Sequence, residues 1–161
     1  MKLINPEHIK ELLELLNRGP YLELLGIKIS DLGIGYSKVE LDLQRKHLNP
    51  FGGAHGGVYS SLIDVATYMA VYCELEEHAG ATSIDLSVNN LAMVREGKII
   101  VEGKSIKIGR QICLAEARAS DENGKILAYG TSKIMVLDGK QSIDHAIKAM
   151  GHRSLPPKFI N

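Results

Sequence analysis

The sequence predicts an α+β fold in which a curved antiparallel sheet of five to six strands wraps one long, buried helix. Three observations carry that expectation. The segment from Gly56 to Glu77 has helix formers, no proline, and apolar residues falling nearly all round its first part, Val58 to Cys73. Stretches with an apolar–polar period of two flank it on both sides. The turns between the later stretches are short, which makes their neighbours antiparallel.

The elements follow in order. Asn5, Pro6 and Glu7 read as a helix start: a capping side chain, proline at the first helical position and an acid in the first turn. Leu12, Leu13, Leu15 and Leu16 give that helix an apolar face, and Arg18, Gly19 and Pro20 stop it. The acids Glu7, Glu11 and Glu14 favour packing on the domain over a membrane surface. From Ile27 the period becomes two. A strand near Ile27 to Ile29 turns through residues 30–35 into Tyr36 to Leu43, with Val39, Leu41 and Leu43 on one face and Lys38, Glu40 and Asp42 on the other. After the long helix, strands are expected near Thr82 to Val88, Ile99 to Ile108, Gln111 to Ser120 and Ile126 to Leu137. A short helix, Ser142 to Met150, is stopped by Gly151. We expect one domain over 1–161, with an N-terminal helix at about 5–18 and a C-terminal extension at about 139–161.

A chain of 161 residues is long enough for a real core. Zero formal net charge gives no global attraction for nucleic acid or an anionic membrane. No segment approaches the ~20 apolar residues that span a bilayer. The start, Met1 to Glu7, lacks the apolar run of a signal peptide. A cytoplasmic location is therefore expected. Cys73 and Cys113 have neither metal-like nor redox-like spacing and read as small core hydrophobes. The six histidines form no His-x-x-x-His pair, so neither a catalytic metal nor a bound cofactor is expected.

Between His47 and Cys73, Asp64 is the only acid, and there is no Lys or Arg. An ionised carboxylate in apolar surroundings costs several kcal/mol unless it is hydrogen-bonded, paired or open to a cavity. It is therefore a candidate base or nucleophile. Immediately upstream, Gly52, Gly53, Gly56 and Gly57 flank His55 at the helix N-terminus. Free N–H groups there can bind a phosphate or polarise a carbonyl, and glycine lets a ligand come close. Asn49 adds an uncharged group for a water or a carbonyl. Gly56 and Asp64 are separated by eight residues, about 12 Å along one helix. A base and an oxyanion donor must both lie within roughly 3 Å of the reacting group. Two antiparallel copies of the helix across a two-fold axis meet that requirement, which predicts a homodimer with Gly56 from one chain and Asp64 from the other.

These residues give the sequence a resemblance to the hotdog-fold acyl-CoA thioesterases of the phenylacetic-acid-degradation type. It runs from about Tyr21 to Leu137, through Leu24 to Ile27, His47 to Asn49, His55-Gly56-Gly57 with Asp64, and Gly109-Arg110. The resemblance implies a dimer with a continuous sheet, often paired into a homotetramer, and hydrolysis of acyl-CoA to free acid and CoA. It implies Asp64 as general base or nucleophile, the Gly56 N–H as donor to the thioester oxygen, and Asn49 orienting water or the carbonyl. Ser83, or its neighbour Thr82, would assist from the strand after the helix. His55 would shape the loop, and Gly57 would sit beside the substrate. Arg95, Lys98, Lys107 and Arg110 are candidates for the CoA phosphates, Arg110 foremost. The C-terminal extension departs from the family's usual end.

Other readings have specific obstacles. Hotdog hydratases commonly carry Asp-x-Asn-Pro-x-His, whereas this chain has His47 and Gly52 at the two catalytic positions. A non-catalytic acyl-CoA sensor would gain nothing from Asp64, and the acidic N-terminal helix lacks a DNA-binding partner helix. A Ser-His-Asp hydrolase would need a Gly-x-Ser-x-Gly elbow, which is absent.

Overall fold

The computed structural model describes residues 2–160. In chain order the elements are β1 (Leu3–Ile4), α1 (Pro6–Leu16), α2 (Pro20–Leu25), β2 (Ile27–Gly33) and β3 (Tyr36–Asp42). A 3-10 turn (Arg45–His47) leads to α3 (Gly56–Tyr72), β4 (Gly80–Asn90), β5 (Lys98–Lys107) and β6 (Ile112–Ser120). The chain ends with β7 (Ile126–Leu137), α4 (Ile143–Met150) and β8 (Phe159–Ile160). Six strands form one antiparallel sheet in the order β2-β3-β5-β6-β7-β4, and β1 pairs with β8 in a separate two-stranded ladder.

The sheet order explains the long helix. β3 and β4 follow one another in sequence but lie four places apart in the sheet, so α3 must cross the sheet's concave face between them. Leu62, Ile63, Ala66 and Ala70 on α3 are fully buried, together with Val39, Val101, Ala119 and Leu127 from the strands. Burial of this apolar surface, at ~25 cal/mol per Å², is the main force holding helix to sheet. Helix and sheet come into close contact at Gly103. The Ser37 hydroxyl opposite it donates to the Ala66 carbonyl at 2.6 Å, and a Cβ on Gly103 would overlap that same carbonyl. The helix is not buried all round. Gly57, Ser60, Ser61, Asp64 and Tyr68, at helical spacing, form one partly exposed stripe.

Several expectations need correction. The long helix stops at Tyr72 rather than continuing to Glu77, because the chain turns there to reach β4. The first hairpin strand extends to Gly33, and β4 runs from Gly80 to Asn90. After Gly19 the chain forms a second short helix, α2, opened by Pro20 and closed by Gly26 at φ 75°. Those two residues are the usual proline-in, glycine-out punctuation of a helix.

The two ends of the chain meet over the C-terminus of α3. Asn5 caps α1, accepting from the Glu7 N–H at 3.1 Å, while its own amide donates to the Pro157 carbonyl at 2.8 Å. His8 on α1 is buried between the Pro156 carbonyl (2.7 Å) and the Tyr72 hydroxyl (3.0 Å). Lys158 is fully buried. Its Nζ donates to the carbonyls of Tyr72 (2.5 Å) and Leu75 (2.8 Å) and lies 4.0 Å from the Tyr72 ring centre. A helix C-terminus leaves carbonyls without partners and carries partial negative charge, so a cation is well placed there. Both cysteines are buried free thiols, and burial pushes the Cys73 thiol up to about 11.

Candidate active site

The loop before α3 is organised by Asn49. Its Oδ1 accepts from the N–H groups of Phe51 (2.9 Å) and Gly53 (3.2 Å), and the backbones of Asn49 and Gly53 pair at 2.8 Å. That leaves the side-chain NH2 of Asn49 as its free donor. His47 is buried: Nδ1 accepts from the Gln44 N–H at 2.9 Å, which assigns Nε2 as donor to the Leu25 carbonyl at 2.5 Å. This histidine fixes the loop rather than reacting.

His55 caps α3, its Nδ1 accepting from the Gly57 N–H at 2.9 Å. The Gly57 N–H is thus already bonded within the chain. The Gly56 N–H has no partner among the described residues. Gly56, Asn49 and Asn90 line one cavity of about 360 Å³ with Tyr59 and Met93. A Cβ on Gly56 would stand 2.7 Å from Asn90 Nδ2, so a larger residue here would have to push the exposed Asn90 side chain aside. Asn90, at the end of β4, escaped the sequence reading. The signal available was Asn90 itself, which falls where the alternation of Ile84, Leu86 and Val88 calls for an apolar residue.

Asp64 sits two turns further along α3. Its Oδ1 is sealed from solvent and has no hydrogen-bond partner among the described residues. An unpaired buried acceptor costs about 1–3 kcal/mol, more if charged, and such groups call for a functional explanation. Asp64 and Ser83 line a predominantly apolar cavity of about 280 Å³ with Leu16, Leu22, Tyr68 and Met69. Ser83 lies in β4 just before a bulge between Ser83 and Asp85. Thr82, on the opposite face of the strand, does not reach this cavity.

The site residues therefore fall into two groups. Asn49, Gly56 and Asn90 stand at the start of α3, and Asp64 with Ser83 stands about 12 Å along it. The two cavities share no lining residue. The basic candidates divide in the same way. Arg95 donates to the Phe51 carbonyl at 3.0 Å and belongs with the Asn49 loop. Lys107 and Arg110 lie beyond the Gly35–Ser105 backbone bond, at the end of the sheet nearest the C-terminus of α3. Both are exposed. Lys98 lies 3.5 Å from Glu40 and 3.9 Å from Asp42, whose charges offset its own. No group of three or more metal-ligating side chains occurs among the described residues, and no helix is long and apolar enough to cross a membrane.

Comparison with known proteins gives the arrangement a family. Residues 51–128 match the model of the thioesterase superfamily. A protein of Archaeoglobus fulgidus that carries an esterase name is 33% identical over 113 residues, covering 68% of this chain and 71% of its own. The 1,4-dihydroxy-2-naphthoyl-CoA hydrolase of Listeria monocytogenes is 28% identical over 71% of this chain and 93% of its own. Among solved structures, a thioesterase of Haemophilus influenzae superposes with a TM-score of 0.77 at 25% identity, covering 86% of this chain and 96% of that one. The phenylacetic acid degradation protein of Thermus thermophilus, at 22% identity and a TM-score of 0.68, shares the fold over 74% of this chain and all of its own. With its long helix lying in a six-stranded antiparallel sheet and its catalytic candidates on that helix, the chain belongs to the thioesterase superfamily and has the hotdog fold.

Proposed function

We propose that this protein hydrolyses acyl-CoA thioesters at sites shared between two copies of the chain, each site combining Asp64 of one copy with Gly56 and Asn49 of the other. The observation that carries the reading is the carboxylate of Asp64, which keeps one buried oxygen unpaired at the wall of an apolar cavity that Ser83 also lines. Among the described residues the side-chain donors of that cavity are the Ser83 hydroxyl and the Tyr68 hydroxyl, the latter already bonded to the Ala81 carbonyl, so within one copy it lacks a pair of free donors for a thioester oxygen. The free Gly56 N–H and the Asn49 NH2 are such groups, and a two-fold axis beside the exposed stripe of α3 brings them across.

In this arrangement a water held between Asp64 and Ser83 loses a proton to the carboxylate and attacks the carbonyl carbon. Negative charge develops on the carbonyl oxygen, where the Gly56 N–H, at the positive end of the α3 dipole, and the Asn49 NH2 stabilise it. Collapse expels the CoA thiolate, which takes the proton back from Asp64, leaving free acid and CoA thiol. Arg95 on one side, and Lys107 and Arg110 on the other, supply positive charge for the CoA phosphates.

The test is thiol release from a panel of acyl-CoAs by wild type and Asp64→Asn. We expect release by wild type and a loss of at least about 100-fold in the variant, the usual size of a general-base contribution. No release from any thioester by folded wild type overturns the proposal. Mixed dimers of Gly56→Val and Asp64→Ala chains should regain activity, since one of their two sites keeps both residues. Inactive heterodimers of proven composition refute the shared site.

A further inference from the structure

The cavity at Asp64 does not stand alone. It shares Leu16, Tyr68 and Met69 with a second cavity of about 340 Å³. The two follow one face of α3: Asp64, Tyr68 and Tyr72 stand four residues apart, in line along the helix, and Leu75 follows just past its end. The far wall is α4, in the C-terminal extension, which presents Ile143, Ala146 and Ala149 to the space.

Several polar atoms along this corridor are already bonded, while the exposed residues Gln141 and His145 keep polar atoms without a partner among the described residues. The Tyr68 hydroxyl donates to the Ala81 carbonyl at 3.2 Å, and the Tyr72 hydroxyl is joined to His8 at 3.0 Å. At the start of α4, the Ser142 hydroxyl bonds His145 Nδ1 at 2.9 Å. What remains to an occupant is largely apolar surface. Nor is α4 a loose tail. At its root the backbone of Lys140 lies so close to Gly80 that a Cβ there would overlap the Lys140 carbonyl. Beyond it, Lys158 anchors the chain to the end of α3.

We propose that this corridor receives the alkyl chain of the substrate and that α4 is its end stop, making the enzyme selective for linear, medium-chain acyl thioesters. The inference rests on the thioester-hydrolase reading above, because it places the reacting carbonyl at Asp64. Asp64 to Tyr72 is eight residues, about 12 Å. An extended alkyl chain with C–C bonds of ~1.5 Å advances ~1.3 Å per carbon, so the corridor holds roughly eight to ten carbons. The C-terminal extension therefore sets the length of the acyl group, with Ala146 as the residue whose size matters most.

The experiment measures kcat/KM for straight-chain acyl-CoAs from acetyl to palmitoyl, with phenylacetyl-CoA as an aryl arm, on wild type, Ala146→Leu, Ala146→Phe and Ile143→Ala. Wild type should rise to an optimum near the octanoyl and decanoyl substrates and fall beyond it. Ala146→Phe should lower the decanoyl value roughly tenfold or more, the effect of excluding two or so methylenes, and leave butyryl-CoA within about twofold. Ala146→Leu should give a smaller shift in the same direction, which keeps the test decisive if the phenylalanine variant does not fold. Ile143→Ala should move the optimum to longer chains. An unchanged optimum in folded variants, or a preference for the aryl substrate indifferent to residue 146, overturns the corridor. Calorimetric titration with decanoate separates this inference from the catalytic one. If no thioester is cleaved, decanoate binding to wild type that Ala146→Phe abolishes still supports the corridor, whereas absence of decanoate binding rejects it.

Discussion

Replacing Lys158 by methionine probes the anchor beneath the C-terminal extension, and its decisive quantity is a dependence on pH. Burial drives the Lys158 ammonium from the ordinary 10.5 down to about 8, and Cys73, Glu77 and Glu76 only partly oppose that shift. Between these two values the unfolded chain binds more protons at Lys158 than the folded one, so folding stability rises with pH across that window. At ~1.36 kcal/mol per pKa unit, the gain is about 3 kcal/mol when complete. Below pH 8 the penalty for the buried charge is fully present. It is offset by hydrogen bonds from a charged donor to the Tyr72 and Leu75 carbonyls, at about 1.5–3 kcal/mol each. The stability difference at neutral pH is thus a balance of similar terms, but its slope is not. Urea unfolding should be followed from pH 8 to 10.5 for the lysine and methionine proteins. Both should carry Cys73→Ala, so that the neighbouring thiol does not titrate in the same range. The lysine protein should gain about 3 kcal/mol relative to the methionine protein over that span. A flat or shrinking difference would show that burial does not lower the Lys158 pKa in the folded protein and would overturn the prediction.

Burial likewise holds His8 below its ordinary 6.5, so stability should fall as pH drops through that value; thermal melts should show the decline flattened in His8→Gln. Leu62→Ala removes a fully buried side chain at the middle of α3 and should cost about 2–5 kcal/mol in urea unfolding. Ser132→Ala should be neutral or stabilising by about 1 kcal/mol in the same assay, because the Ser132 hydroxyl is buried without a partner among the described residues. Gly80→Ala should destabilise by about 1–3 kcal/mol and expose residues 138–142 to limited proteolysis, since the added methyl displaces Lys140 at the root of α4.

Much of the sheet was legible in the sequence because its signal is local. The alternation from Tyr36 onward, the short turns at Gly109 and Asp121 to Gly124, and the apolar density of α3 each report burial through neighbouring residues alone. α2 was missed because six residues carry too little periodicity, although Pro20 and Gly26 punctuate it. At the site, Asp64 stood out as the one acid in an apolar helix. Asn90 did not, since its meaning depends on β4 ending beside Gly56, a relation set by sheet topology. Lys158 was equally opaque. A lysine near a chain end reads as solvated, and only the fold reveals that it lies against carbonyls at and just past the end of α3, 86 and 83 residues earlier. The corridor was hidden for a related reason: Leu16, Tyr68 and Ala146 come from three helices whose proximity no local pattern encodes.

The short ladder between β1 and β8 has a consequence for how the molecule assembles itself. Leu3 pairs with Ile160 and Ile4 with Phe159, so the ladder closes a loop of nearly the whole polypeptide. In a disordered chain, closing so long a loop costs several kcal/mol of entropy, far more than two residue pairs return. Once the six-stranded sheet has closed over α3, the two ends already lie side by side and the ladder forms almost freely. It should be the last part of the structure to appear during refolding and the first to open under native conditions. Exchange of its amide hydrogens would then report local fraying of the clasp, while those of β6 report global unfolding.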